Sequence, residues 1–286
     1  MKEILVIDDA RMRKDLLSAA EFWADMIGAH IRVLSMIDES AVRDTTRTIG
    51  VIGKVAQAVK SDFIEETRET ICAEISHTRL RCEDVIVKIG IPLDEIKRSI
   101  DSLRPDLVVL SKGLKSGVIH ITGEIIGFCS GNCLVVTDTF LPGPFERLLL
   151  ATDGSEKNKG AEEDALLLTK RFGGTLYVLT VVDFNEVLQI HAPELLESFF
   201  VRARENVQRI VKGAKDMGIR CTGLVKEGSI SDTLVQVCRD VNPGIVILGS
   251  EGRTGLSRLL MGSVANSVMK KISSPILVIK KKMLSS

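Results

Sequence analysis

The sequence has no excess of charge of either sign: 38 basic residues stand against 38 acidic ones in 286, for a formal net charge of zero. Lys and Arg are interleaved with Asp and Glu, whereas a nucleic-acid partner calls for a basic excess or a basic stripe. Most of these charges read as solvated helix faces, and no nucleic-acid partner is expected. No apolar run approaches the ~18 consecutive residues of a membrane span. Met1-Lys2-Glu3 leads at once into a strand-like run, Ile4-Leu5-Val6-Ile7, without the length or cleavage site of a secretory leader. The expectation is a soluble, cytoplasmic chain with no membrane insertion. The six cysteines (Cys72, Cys82, Cys129, Cys133, Cys221 and Cys238) form no Cys-x-x-Cys pair, and no paired histidine spacing completes a zinc site. They read as buried thiols in a reducing compartment, with no metal site. A Gly-x4-Gly-Lys-Ser/Thr loop is missing, which removes ordinary P-loop hydrolysis. His30, His77, His120 and His191 adjoin no Ser or Cys in a nucleophile motif, so no catalytic residue is assigned.

What is present begins with length. Single domains run on the order of 100–200 residues, so this chain has room for two, and 45% hydrophobic residues are ample for a core in each. The two halves also repeat. Glu3 to Asp9 (EILVIDD) echoes Arg147 to Asp153 (RLLLATD), and Ile31 to Asp38 (IRVLSMID) echoes Leu176 to Asp183 (LYVLTVVD). Lys88 to Ser111 echoes Lys226 to Gly249, and Leu134-Val135-Val136 echoes Ile276-Leu277-Val278. Four blocks in the same order mark a duplication. The seam is Leu141-Pro142-Gly143-Pro144, which disfavours helix and strand alike. Domains are therefore expected at 1–141 and 142–286.

The strands of both copies are continuous Val/Ile/Leu runs, the pattern of strands buried on both faces of a parallel sheet. Helical segments lie between them: Ala161, Ala165, Leu168 and Phe172 share a stripe, Glu194 to Met217 is longer, and Ser231 to Asp240 opens on a Ser or Asp cap. Alternating strands and helices predict a doubly wound sheet, whose ligands settle at the carboxyl ends of the strands. There, after Ile245 to Leu248, come Gly249-Ser250-Glu251-Gly252-Arg253-Thr254-Gly255, then Leu256 to Met261, then Gly262-Ser263 opening a helix. Gly249 and Gly252 allow a sharp turn that presents backbone N–H groups to an anion, and Gly262 allows a second close approach. Ser263 and Val264 stand where a helix N-terminus offers unpaired donors. Arg253 and Arg258 are candidate partners for phosphate oxygens or solvated side chains.

Gly249-x2-Gly252-x9-Gly262-Ser263 resembles, position for position, the ATP-binding signature of the universal stress protein family. The resemblance extends to Asp153 within Ala-Thr-Asp-Gly-Ser, to Val181 after the second strand, and to Pro275-Ile276-Leu277-Val278 at the closing strand. It spans the chain as two family domains, clearest from about Glu146 onward. It implies two tandem Rossmann-like domains of the adenine nucleotide alpha hydrolase-like kind, each a five-stranded parallel sheet with helices on both faces. It also implies ATP or AMP as ligand, with Mg2+ carried by the phosphates. Asp153 would lie by the adenosine and Val181 would meet the adenine through its backbone. Gly249, Gly252, Gly262, Ser263 and Val264 would surround ribose and phosphates. The plainer reading of Asp153 is a cap on the next helix, and that of Val181 is core packing. The first copy keeps Asp9 but has Ser111-Lys112-Gly113-Leu114-Lys115-Ser116-Gly117 in place of the glycine loop, and its path to the closing strand is four residues shorter. Its Gly90-Ile91-Pro92 resembles a family motif better than Gly228-Ser229-Ile230 does. Fold is expected there without phosphate binding. The resemblance also implies that the closing strands, Cys133 to Thr137 and Pro275 to Lys280, join domains: within one chain as a pseudo-dimer, and beyond it as a homodimer. A related group that adenylates its substrates carries Ser-Gly-Gly-x-Asp-Ser after the first strand, where this chain has Asp153-Gly154-Ser155-Glu156. That leaves a nucleotide-responsive stress or signalling protein, with a slow ATPase and a non-nucleotide interaction module as alternatives.

Overall fold

The computed structural model describes residues 2–8, 13–40, 42–43, 54–116, 119–137, 140, 142–183, 193–249, 269 and 271–284. The chain divides into two compact units, Met1–Gly131 with Asp138–Pro142, and Asn132–Thr137 with Gly143–Ser286. The first runs β1 (Lys2–Asp8), α1 (Lys14–Ile27), β2 (Ala29–Asp38), α2 (Lys54–Ile75), β3 (Val85–Gly90), α3 (Pro92–Leu103) and β4 (Leu107–Ser111). A short hairpin, β5 (Lys115–Ser116) and β6 (Ile119–His120), and α4 (Thr122–Phe128) follow. Its strands lie parallel in the order β4-β1-β2-β3. The second holds β7 (Asn132–Val136), β8 (Arg147–Ala151), α5 (Lys159–Phe172), β9 (Thr175–Val182), α6 (Pro193–Asp216), β10 (Arg220–Glu227), α7 (Ile230–Val241), β11 (Ile245–Gly249) and β12 (Ile276–Ile279). Here the order is β10-β9-β8-β11-β12-β7, with five parallel strands and β7 antiparallel.

Every residue of β4, β7, β11 and β12 is buried. Successive side chains of a strand point to opposite faces, so both faces are covered, and the continuous apolar runs follow from that. The edge strand β10 is largely exposed. Among the described residues no helix is long and apolar enough to cross a membrane.

The duplication is visible in strand register. Ile4 stands opposite Leu107 and Ile31, as Leu148 stands opposite Ile245 and Leu176. Val33 faces Val85 as Val178 faces Gly223. All of these are pairs the sequence alignment sets level with one another. Turns match as well: Asp106 donates its N–H to the Glu3 carbonyl and Gly244 donates to that of Arg147, each at 2.8 Å. α1 and α5 end on left-handed glycines, Gly28 and Gly173, both at φ +67°. The non-glycine residues at positive φ among those described, Arg104 and Asn242, end α3 and α7 at equivalent places. Asn tolerates that conformation, whereas Arg carries a cost of about 1 kcal/mol.

Three sequence expectations change. The fifth strand of the first repeat, β7, belongs by contact to the second unit, pairing Cys133, Leu134 and Val135 with Val278, Leu277 and Ile276. The apolar edge of β12 finds its partner within the chain, as an unpaired edge should. Asn132 secures the pairing, its Oδ1 accepting the N–H groups of Lys280 (2.8 Å) and Lys281 (3.1 Å). Second, Cys72 and Cys82 are joined as a disulfide, with Cα atoms 5.3 Å apart. Their separation by ten residues hid the pairing, because the end of α2 and the turn before β3 meet only in the fold. The argument from cysteines to a reducing compartment therefore lapses. Third, the cap of α7 is Ser229, whose Oγ accepts from the Asp232 N–H, rather than Ser231.

Candidate functional site

In the second unit β9 and β11 flank β8 on opposite sides, so the chain order reverses at β8 and opens a crevice at its carboxyl end. Asp153 lies two residues past β8, and Gly249 is the last residue of β11. Asn158, 1% exposed, stands between them. Its Nδ2 donates to Asp153 Oδ1 at 2.7 Å. Its Oδ1 lies where a Cβ on Gly249 would come within 1.7 Å. Gly249 carries no positive φ among the described glycines. Its need for glycine is the close approach of Asn158, not the sharp turn expected from sequence.

Asp153 does not cap α5. Its Oδ1 also accepts the Ser155 N–H at 3.0 Å, closing a turn on itself. Val181 is 7% exposed and pairs with Lys226 of β10. The ladder between β8 and β9 ends at Ala151 and Leu179, followed by a bond from the Thr152 N–H to the Leu179 carbonyl. Backbone groups of a strand face alternate sides, so the N–H and C=O of Val181 point to the side that β8 has left. Both readings of Val181 are therefore compatible: its side chain packs while its backbone faces the crevice.

A cavity of about 270 Å³ opens there, between Asp153, Val181 and Asp183 on the sheet side and Phe199, Arg202 and Ala203 of α6. It sits near the small end of ligand pockets, which run roughly 300–1,000 Å³. The crevice is polar where the chain turns. Ser155 Oγ, Asn158 Oδ1 and Asn206 Nδ2 are all buried without a hydrogen-bond partner among the described residues. Such groups normally find one, in protein, water or ligand. Gly252, Arg253, Gly262, Ser263 and Val264, with Arg258 and Asp9, lie outside the described residues. The structure thus brings together Asp153, Val181 and Gly249 and describes nothing of the rest of the set. Among the described residues no group of three or more His, Cys, Asp or Glu could hold a metal ion.

Residues 144–280 match the model of the universal stress protein family. These residues, just under half of the chain, form a domain of that family. Two universal stress proteins of Methanocaldococcus jannaschii are similar to it, one 28% identical over 141 residues (48% of this chain, 83% of the relative). The other is 30% identical over 105 residues, covering 37% of this chain and 65% of the relative. The crystal structure of a universal stress protein from Archaeoglobus fulgidus shares the fold over 98% of this chain and 96% of its own, with a TM-score of 0.67 at 17% identity.

Sequence reasoning missed the α6 wall and the buried charges behind the crevice. Phe199, Arg202 and Ala203 fall at i, i+3 and i+4 of a helix, a spacing legible only once the facing surface is known. Glu162 is 2% exposed and Asp164 fully buried, whereas the charge pattern predicts solvated faces for most helix charges. Their signal lay in the period: Glu162, Ala165 and Thr169 share the buried stripe of α5.

Proposed function

We propose that the second unit binds an adenine nucleotide, ATP or AMP, and that the chain is a nucleotide-responsive stress or signalling protein of the cytoplasm. The observation that carries this reading is the crevice at the β8 end, with the Asp153 carboxylate and the Val181 backbone at an apolar cavity. The apolar walls, Val181, Phe199 and Ala203, suit the faces of a base, and the orphaned polar atoms about the Asp153 turn suit a hydroxyl-bearing sugar. Phosphates would extend toward Gly249 and onward to Gly252, Arg253, Gly262, Ser263 and Val264, by family resemblance. Mg2+ would be carried by the phosphates. The first unit, domain 1–141 in this reading, keeps the fold and has lost phosphate binding. The reading is one of binding, with slow hydrolysis as the alternative that phosphate release from ATP would reveal.

Assembly through the closing strands is met inside the chain, since β12 is paired on both edges. A homodimer would therefore use another surface, and light scattering decides whether one forms. The test of function is direct. Denaturing the purified protein and analysing the supernatant by mass spectrometry should release an adenine nucleotide, and calorimetry on stripped protein should give micromolar or tighter binding, about −8 kcal/mol or better. A chain that releases no nucleotide and shows no heat with ATP, AMP or adenosine would be an interaction module instead.

A further inference from the structure

Glu162 lies on the buried stripe of α5, and its carboxylate is shared between two elements of the crevice. Its Oε1 accepts the hydroxyl of Thr152, the residue before Asp153, at 2.9 Å. Its Oε2 is held by the guanidinium of Arg209 on α6. The same guanidinium donates to Asn206 Oδ1 at 2.7 Å. Thr152 is itself a hub: its Oγ1 accepts the Gly154 N–H at 3.1 Å, and its carbonyl accepts the Thr180 hydroxyl at 2.9 Å. Asn206 also presses on the turn, since a Cβ on Gly154 would fall 2.3 Å from its side chain.

Phe199, Arg202, Asn206 and Arg209 recur at three- and four-residue intervals along one face of α6. The part of that face that walls the cavity is thus continuous with the part that binds Glu162. Apolar burial of Val207, Ile210 and Ala214 holds α6 in place, but burial is non-directional and fixes neither the rotation nor the slide of a helix. A carboxylate that is 3% exposed is costly to bury unless its bonds are made. Its two directed bonds supply what apolar packing lacks. At the level of Glu162, α1 of the first unit has Leu17 and Ser18, with no acid between Asp15 and Glu21.

We propose that Glu162 and Arg209 are positioning residues that lock the α6 wall of the cavity to the Asp153 turn, setting the width of the base end of the site. The binding consequence rests on the nucleotide reading given above.

Full-length Glu162→Gln keeps the Thr152 bond but turns an amide N–H₂ toward the guanidinium. Arg209→Met keeps length without charge, and Arg209→Lys keeps charge. Hydrogen exchange without ligand should show α6 amides exchanging faster in Glu162→Gln and Arg209→Met, with α5 and β11 unchanged and Arg209→Lys close to wild type. Adenosine, AMP and ATP should each lose the same factor in affinity, roughly tenfold for one charge-assisted bond, because the fault lies at the base end. A merely structural pair would instead raise exchange throughout the unit, and the lysine variant would rescue nothing beyond melting temperature. Unchanged α6 exchange overturns the proposal. So does loosened α6 with undiminished affinity, provided Asp153→Ala loses binding. If wild type binds no adenine compound, the nucleotide reading falls, and the exchange measurement alone decides whether the pair positions α6.

Discussion

The two repeats share register, turns and helix caps, yet their strand ends are finished differently. In the second unit β11 ends on Gly249, and the space a side chain would take is given to Asn158, which holds Asp153. In the first, β4 ends on Ser111 at the equivalent place, and that end is closed by local structure. The Ser111 carbonyl accepts the Thr122 hydroxyl at 3.1 Å, and Leu114 and Ile121, both buried, are joined by a backbone bond. Ile121 is the N-cap of α4, with no side-chain hydrogen bond to offer. The fold tolerates either finish because sheet register is set by buried apolar strands, and strand ends are free to diverge. Fold and strand-end finish are therefore separable in one chain.

The strongest way to break this contrast is at the matched pair itself. Gly249→Val should abolish nucleotide binding and destabilise the second unit by about 3 kcal/mol or more, because a branched side chain has no room beside buried Asn158. Ser111→Gly should leave affinity untouched and cost roughly 0.5–1 kcal/mol of strand stability. Calorimetry and thermal melts of both variants check this; equal affinity in Gly249→Val and wild type would remove Gly249 from the site.

Stoichiometry comes next in size. Titrating stripped protein with ATP and with AMP should saturate near one equivalent, and Asp153→Ala should remove that site. The first unit lacks the serine and glycines of the cradle, and each charge-assisted bond lost forfeits roughly 1.5–3 kcal/mol. Two or three such losses exceed three decades of affinity, since 1.4 kcal/mol is tenfold. Two equivalent sites would mean that the shortened loop of the first copy still cradles phosphate.

What could be read from sequence and what could not follows the same division. The parallel sheet was legible because the Val/Ile/Leu runs are the direct consequence of two-sided burial, and the tandem arrangement because the duplicated blocks keep their order. Asp153 and Val181 were legible as strand-end positions. The pairing of β7 with β12 was expected only through the family resemblance, because nothing in Asn132 to Val136 itself says which edge it will meet. Glu162, Arg209, Asn158 and Asp164 were not legible, because their roles exist only between elements distant in the chain. A charge in a helix is read as solvated until the element opposite it is known.

Asp164 offers a smaller effect, again with no counterpart in the first unit, where Ala19 and Ala20 lie buried at that level. Its carboxylate accepts the N–H groups of Met283 (2.7 Å) and Leu284 (3.0 Å), fastening the segment after β12 onto α5. Burial holds its pKa above the ordinary 3.8, outweighing the pull of the two amides and Lys282. The folded state thus keeps a proton that the unfolded chain has already lost. Its contribution to stability is fully present below 3.8 and is lost as pH rises through the raised pKa. Asp164→Asn should destabilise by about 1–3 kcal/mol at neutral pH, as its amide faces one of the two N–H donors. The gap between wild type and variant should widen as pH falls through the raised pKa and level off below 3.8. A gap that narrows in acid, measured by denaturant titration, would reverse this assignment.

The smallest effect separates the units by their sulfur chemistry. In the second unit burial pushes the Cys221 thiol up to about 11 and that of Cys238 to about 12, so both are almost wholly protonated at neutral pH and slow toward electrophiles. In the first, Cys82 is exposed and bonded to half-buried Cys72 across a short span. Other bonds hold the same stretch: Arg68 donates to the Cys82 carbonyl at 3.2 Å, and the Arg81 N–H donates to Asp84 Oδ2 at 2.9 Å. Opening so short a loop should therefore cost the first unit no more than about 1–3 kcal/mol. It should leave nucleotide affinity and stoichiometry unchanged. Alkylation at pH 8 should label neither Cys72 nor Cys82 before reduction and both after it, with Cys221 and Cys238 slow throughout. Labelling of Cys72 and Cys82 in oxidised, purified protein would show that the bridge does not form, and a drop in nucleotide affinity on reduction would show that the first unit is not the bystander this comparison makes it.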